Sequence, residues 1–258
     1  HVCSFELLLG DRLVFCGLDT LLYRGVRYYF VDNLALFGGD TVYTGDEREG
    51  YRYAFFCRAV LEALPRIDFF PDVLQLNDWQ TGLIPVLLRG QYGFDPRYHA
   101  IKLVYTIHNL RYQGLFDWAL IRRLTGLNDG YFTVDNLEFY GVVSFMKAGI
   151  VFSDRVTTVS PSYAEEIRTG YYGERLDGLL NKRRSVLSGI LNGIDTIAYD
   201  PAADVQLPKT FTAADRRGKT VCKQALQRAC GLSEREEVRL IAMVTRLVGH
   251  KGLDLVQE

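Results

Sequence analysis

The sequence predicts an α/β protein with a parallel, doubly wound sheet, and three observations carry that expectation. Short apolar runs alternate with helical stretches along the 258 residues, and parallel strands need such crossovers and are buried on both faces. The apolar runs end abruptly in polar residues able to bind or react, first Asn77-Asp78-Trp79 and then His108-Asn109. A β-α-β pattern begins afresh beyond Tyr199, after a polar stretch containing two prolines.

Taken in order, VCSFELLLGDRLVF is broken by Glu6, Asp11 and Arg12, so it reads as neither a signal peptide nor a membrane span. Residues 25–32, GVRYYFVD, have the aromatic and β-branched content of a strand, followed by a loop through Gly38, Gly39 and Asp40. Residues 46–64 place apolar side chains at helical spacing, with acidic residues at the start and Pro65 just past the end. DVLQL is a strand leading through Asp78 into a helix over 80–89, and IKLVYTI is the next strand. Residues 138–152 read as a mostly buried helix and 155–160 as a strand. Ser160-Pro161-Ser162 then offers helix-start chemistry, with Ser162 and Glu165 fitting a capping box. Residues 185–191 run as a strand into Asn192-Gly193.

The expected organisation is one domain over 1–200, a linker over 201–218, and the beginning of a second domain over 219–258. That second part holds a helix at 219–229, a strand at 238–245 and the segment from Arg246 to Gly252. Both ends read as cut, because the chain opens on His1 and GLDLVQE stops in a helix just begun. A piece of a longer protein is expected.

Hydrophobic residues at 48% and charged residues at 24% are ordinary for a globular chain, and a net charge of -1 supplies no basic field for nucleic acid. Cys3, Cys16, Cys57, Cys222 and Cys230 are odd in number, scattered and without a CxxC pair, which suits a reducing, cytoplasmic setting. His1, His99 and His250 have no partners at metal-ligand spacing. No P-loop and no GxGxxG is present.

Asp78, His108, Ser160, Asn192 and Arg246 each stand at or just after the carboxyl end of an expected strand, the edge where open α/β sheets bind ligands. Bland alternatives exist for several of them. Asp78 fits a cap of the following helix, Trp79 fits a wedge in the core, and Ser160 and Ser162 read as caps. His108, followed by Asn109 and a glycine-containing loop, is poorly explained by packing. Arg246 and Lys251 can converge on a phosphate or pyrophosphate together with backbone N–H groups, where charge on a departing diphosphate would be stabilised. A solvated surface pair is the competing reading.

The strings LNDWQTGLIPVLL, YTIHNLRYQG, VTTVSPSYAEEI, ILNGID and TRLVGHKGLDLV, in this order, closely resemble bacterial glycogen synthase and the plant starch synthases of glycosyltransferase family 5. The likeness runs along nearly the whole chain. It implies a retaining glucosyltransferase of the GT-B fold, with two Rossmann-like domains facing across a cleft and no required metal or cofactor. By the same resemblance Asp78 and Trp79 line the glucan acceptor side, Trp79 by stacking on sugar rings, and Tyr43 matches an acceptor-side tyrosine. His108 beside Asn109 lies against the transferred glucose, Asn192 holds the donor glucose, and Arg246 and Lys251 bind the diphosphate. Gln75, Tyr199 and Gly38 depart from residues usual in the family.

The implied partners are ADP-glucose and an α-1,4-glucan, with no nucleic acid and no membrane. The family's Lys-Thr-Gly-Gly-Leu segment and its C-terminal glutamate are expected to lie outside residues 1–258, so the chain alone is expected to be inactive. Two other readings stay open. One is a GT-B transferase using UDP-glucose or forming sucrose phosphate, and the other is a non-catalytic glucan-binding protein.

Overall fold

The computed structural model describes residues 1–41, 43–248 and 251–256, so Gly249 and His250 of the expected diphosphate segment lie outside the described residues. The chain divides into two compact units, His1–Asn192 and Gly193–Glu258.

The first unit opens with an antiparallel meander of β1 (Cys3–Leu9), β2 (Arg12–Tyr23) and β3 (Val26–Asp32). Only the last of these was legible beforehand. Glu6 and Leu8 point outward while Leu7 and Leu9 are buried, so the charge that seemed to break the apolar run sits on the solvent side of a period-two strand. Asp11 falls in the two-residue turn between β1 and β2, where Leu9 pairs with Arg12.

The long helix Glu47–Arg66 is capped by Asp46, whose side chain accepts from the Arg48 N–H. It continues through Pro65 rather than ending before it. Proline offers no N–H to the Leu61 carbonyl four residues back; the Tyr98 hydroxyl donates to that carbonyl instead, at 2.8 Å.

Two parallel strands follow, β4 (Val73–Asn77) and β5 (Lys102–Ile107). Between them the expected single helix is divided into a 3-10 turn Trp79–Thr81, an α-helical piece Leu83–Leu87 and a wider turn Leu88–Tyr92. A small antiparallel sheet is then formed by β6 (Leu115–Phe116), β7 (Glu138–Phe139) and β8 (Val142–Ser144), in the order β6-β8-β7. The helix expected over 138–152 therefore begins only at Phe145, with Ser144 as its cap. Tyr140 and Gly141, both at positive φ, make the two-residue turn that joins β7 to β8.

The parallel sheet is completed by β9 (Arg155–Thr158) and β10 (Leu187–Gly189), in the order β10-β9-β5-β4. No reversal of strand order occurs among the described strands, so they do not by themselves form the doubly wound arrangement. One face carries buried Leu76, Leu103, Tyr105, Ile107 and Val156, and the helix Phe145–Phe152 lies so close that a Cβ at Gly149 would meet the Tyr105 ring. The other face is open along β4, where Gln75 and Asn77 are exposed, against the expectation of burial on both sides. It bears a polar row: Gln75 Nε2 donates to Thr106 Oγ1 at 3.2 Å, which lies 2.8 Å from Thr157 Oγ1.

Ser160 caps the helix Pro161–Glu166, its hydroxyl accepting from the Tyr163 N–H at 2.9 Å. Ser162 lies inside that helix, one residue past Pro161, so the capping box expected from Ser162 and Glu165 is not formed.

The second unit contains the helix Arg217–Ala229 and a 3-10 turn Leu253–Val256. Residues 238–245 do not form the expected strand. A strand exists through ladder bonds to a neighbour, and no other strand occurs among the described residues of this unit. Among the described residues no helix is long and apolar enough to cross a membrane.

Candidate active site

β4 and β5 run side by side with Asn77 opposite Thr106, and the Asp78 N–H donates to the Thr106 carbonyl at 2.9 Å as a last rung. The chain then turns sharply. Asp78 adopts φ 57° and ψ −178°, a region that side chains other than glycine rarely occupy and that costs about 1–3 kcal/mol. What holds it there is a contact to the neighbouring strand end, since Asp78 Oδ1 accepts from the His108 N–H at 2.8 Å. Asp78 makes no side-chain cap to the turn that follows it.

Asn77 adds a second grip. Its Oδ1 lies 2.9 Å from His108 Nε2, so two consecutive residues of one strand end hold the backbone and the ring of the residue ending the next. Asn77 was legible only as part of a polar cluster; its pairing with His108 depends on the strand register, which the sequence does not print. His108 itself is exposed and Asp78 half-buried. Behind them, burial and the nearby Asp78 carboxylate push the Tyr105 phenol well above its ordinary range.

Trp79 is placed differently from the expectation. It is 6% exposed, with its ring set against Tyr53 at 4.8 Å, Phe116 at 5.8 Å and Phe145 at 6.3 Å between centroids. An added Cβ at Gly114 would run into the indole from another side. With its neighbours packed this closely the ring is a core wedge, and it presents no free face for stacking on a sugar. It does border a cavity of about 440 Å³ that also touches Asp46, Glu49, Arg111, Tyr112 and Asp117.

Asn109 is half-buried and its Oδ1 accepts from the Arg111 N–H at 3.1 Å, which fixes the loop after β5. Tyr43 is 64% exposed and its hydroxyl accepts from Gln80 Nε2 at 3.4 Å, beside the end of β4. Asn192 is exposed, three residues beyond β10, on the sheet edge that also carries Asp78, His108 and Ser160. Ile190 extends the pairing of that edge by donating to the Thr158 carbonyl at 2.8 Å.

Arg246 and Lys251 are exposed in the second unit. Beside them the Val248 N–H donates to the Arg246 carbonyl at 2.9 Å and the Lys251 N–H to the Val248 carbonyl at 3.0 Å. The strand that was to deliver Arg246 is absent. Among the described residues no three His, Cys, Asp or Glu side chains gather as a metal site.

An exposed imidazole gripped at the carboxyl edge of a parallel sheet suits hydrogen bonding to a polar ligand. The fold of the chain matches that of the solved catalytic domain of starch synthase IV from Arabidopsis thaliana bound to ADP and acarbose. The TM-score is 0.86 and the identity 32%, over 98% of this chain and 52% of that one. The class is that of the GT-B glycosyltransferases.

More narrowly, the chain belongs to the starch synthase catalytic domain family, whose model matches residues 2–182. It is 54% identical to the glycogen synthases of Geobacillus thermodenitrificans and Geobacillus stearothermophilus over 96% of its length, and 48% identical to that of Anoxybacillus flavithermus. In each case it spans 51% of the relative, so the chain covers about half the length of the curated relatives it matches.

Proposed function

We propose that the protein carrying this chain transfers glucose from ADP-glucose to the non-reducing 4-hydroxyl of an α-1,4-glucan with retention of configuration. The observation that carries the reading is the doubly held His108 at the carboxyl edge of the sheet, in a chain 54% identical to glycogen synthases. The ADP and acarbose bound to the starch synthase IV neighbour support a nucleotide and a glycoside as its ligands.

In this reading residues 1–200 supply the acceptor side and 219–258 begin the nucleotide-sugar side, joined by 201–218. His108 and Asn192 meet the donor glucose, while Asn109 fixes the loop beneath it and Tyr43 faces the acceptor. Asp78 acts by holding His108, and Trp79 by keeping the β4 end rigid from below. Arg246 and Lys251 take up the charge that grows on the diphosphate as the bond from the anomeric carbon to its oxygen breaks. The glucan 4-oxygen bonds to that carbon from the side the diphosphate leaves, and its proton passes to the departing diphosphate oxygen. No metal is needed for these steps.

The test is an assay of the product of the gene encoding this chain with glycogen and either ADP-glucose or UDP-glucose. ADP release matched by glucose incorporation into α-1,4 chains is expected, with strong loss in His108→Ala. Preference for UDP-glucose would assign a different GT-B transferase, and no transfer from either donor would leave a glucan-binding protein.

A further inference from the structure

We propose that Asn77 is a positioning residue that fixes His108 as the Nε2–H tautomer, and so sets the polarity of the hydrogen bond that the imidazole offers a sugar hydroxyl. The tautomer rests on the contact between the Asn77 amide oxygen and His108 Nε2, whereas the sugar hydroxyl rests on the function proposed above.

Asn77 Oδ1 stands 2.9 Å from His108 Nε2. An amide oxygen can only accept, so Nε2 must donate, and a neutral imidazole has a single N–H to give. Nδ1 is then an acceptor, and no other hydrogen bond to the ring occurs among the described residues. The ring has little freedom to leave this pairing, because the His108 backbone is held by Asp78 at 2.8 Å and Asn77 is the last residue of a strand in fixed register with Thr106.

Asn77 is itself exposed, so it contributes nothing to the core. Its neighbour Leu76 does the packing, at 2% exposure. A ring presenting Nδ1 can receive a hydrogen bond from a glucose hydroxyl but cannot donate one through that atom. Asn77 therefore selects which sugar oxygen His108 can serve: one whose hydroxyl is free to donate.

The experiment is ¹⁵N–¹H correlation of the imidazole nitrogens in the histidine-labelled product of the gene encoding this chain, with the His108 signals identified by their loss in His108→Gln. The wild type should show a protonated Nε2 and an unprotonated Nδ1. Asn77→Asp, which keeps an acceptor, should preserve that pattern, and Asn77→Lys, which places a donor against Nε2, should turn the ring to the Nδ1–H form. An Nδ1–H ring in the wild type, or a ring unchanged by Asn77→Lys, overturns the proposal.

In the gene product Asn77→Ala should lower kcat/KM for the donor about tenfold, the size of one hydrogen bond, with an unchanged urea midpoint. A ring that behaves as stated in a protein that transfers no glucose would refute the function and leave the tautomer standing. A ring that does not, in an active transferase, would do the reverse.

Discussion

Asp78 Oδ1 and the His108 N–H, 2.8 Å apart, tie the ends of two parallel strands together beyond their last ladder rung. The tie compensates for the backbone strain at Asp78, whose φ is 57°. Asp78→Asn keeps an acceptor oxygen and a residue type that tolerates positive φ, so it should change stability by less than about 1 kcal/mol. Asp78→Ala keeps the strain and loses the tie, and should cost about 1.5–3 kcal/mol, the range for a hydrogen bond to a charged group. Urea denaturation measures both, and equal costs in the two variants would contradict this account.

Trp79 and Gly114 form a second coupled pair. The glycine has φ 61°, and a Cβ there would run into the indole. Gly114→Ala should destabilise by about 1–3 kcal/mol through overpacking, and Trp79→Ala by about 3–5 kcal/mol through the cavity it leaves. In a Trp79→Leu background the alanine at 114 has room, so a double-mutant cycle should return a coupling of about 1 kcal/mol or more. Strict additivity would show that the close approach carries no energy.

Much of this architecture was legible because it is written in local patterns. β4, β5 and β9 are apolar runs with polar ends, and the acid-started amphipathic stretch became the helix Glu47–Arg66. The misreadings share a cause, namely that short-range pattern does not report pairing. Tyr140-Gly141 lies within the helix expected over 138–152 and is instead a hairpin turn, because β8 finds β6 and β7 as neighbours. Residues 238–245 have strand composition and find no partner strand among the described residues. Trp79 looked like a sugar platform on family resemblance, yet three aromatic rings from distant parts of the sequence pack against it. The polar residues at the ends of β4, β5 and β9 could be listed in advance; the grip of Asn77 and Asp78 on His108 needed the register of β4 against β5.

The buried thiols predict a pH response. Burial pushes Cys57 up to about 12 and Cys16 to about 11, from an ordinary 9.0. Folded protein thus keeps protons that the unfolded chain releases, so this stability is fully present below pH 9 and is lost as pH rises through 11 to 12. The urea midpoint should fall across that window, and less steeply in Cys57→Ala. At pH 8 a thiol reagent should modify exposed Cys230 rapidly and reach Cys16 and Cys57 only after denaturant is added. Rapid labelling of Cys57 in the native protein would contradict its burial.

Arg246 and Lys251 make the last prediction. The backbone N–H groups of Val248 and Lys251 donate to the Arg246 and Val248 carbonyls, so in this conformation those two are not free to bind a diphosphate, and the side chains are the groups to test. A guanidinium forks onto two phosphate oxygens where an ammonium offers one point of charge. Arg246→Lys in the gene product should therefore weaken ADP binding severalfold although the charge is conserved, whereas Lys251→Arg should be tolerated better. Alanine at either position should cost about tenfold to a hundredfold, from charge-assisted hydrogen bonds worth about 1.5–3 kcal/mol. Calorimetric titration with ADP at two salt concentrations measures these effects, and the alanine variants should also lose part of the salt dependence. Wild-type affinity in both alanine variants would return Arg246 and Lys251 to an ordinary solvated pair.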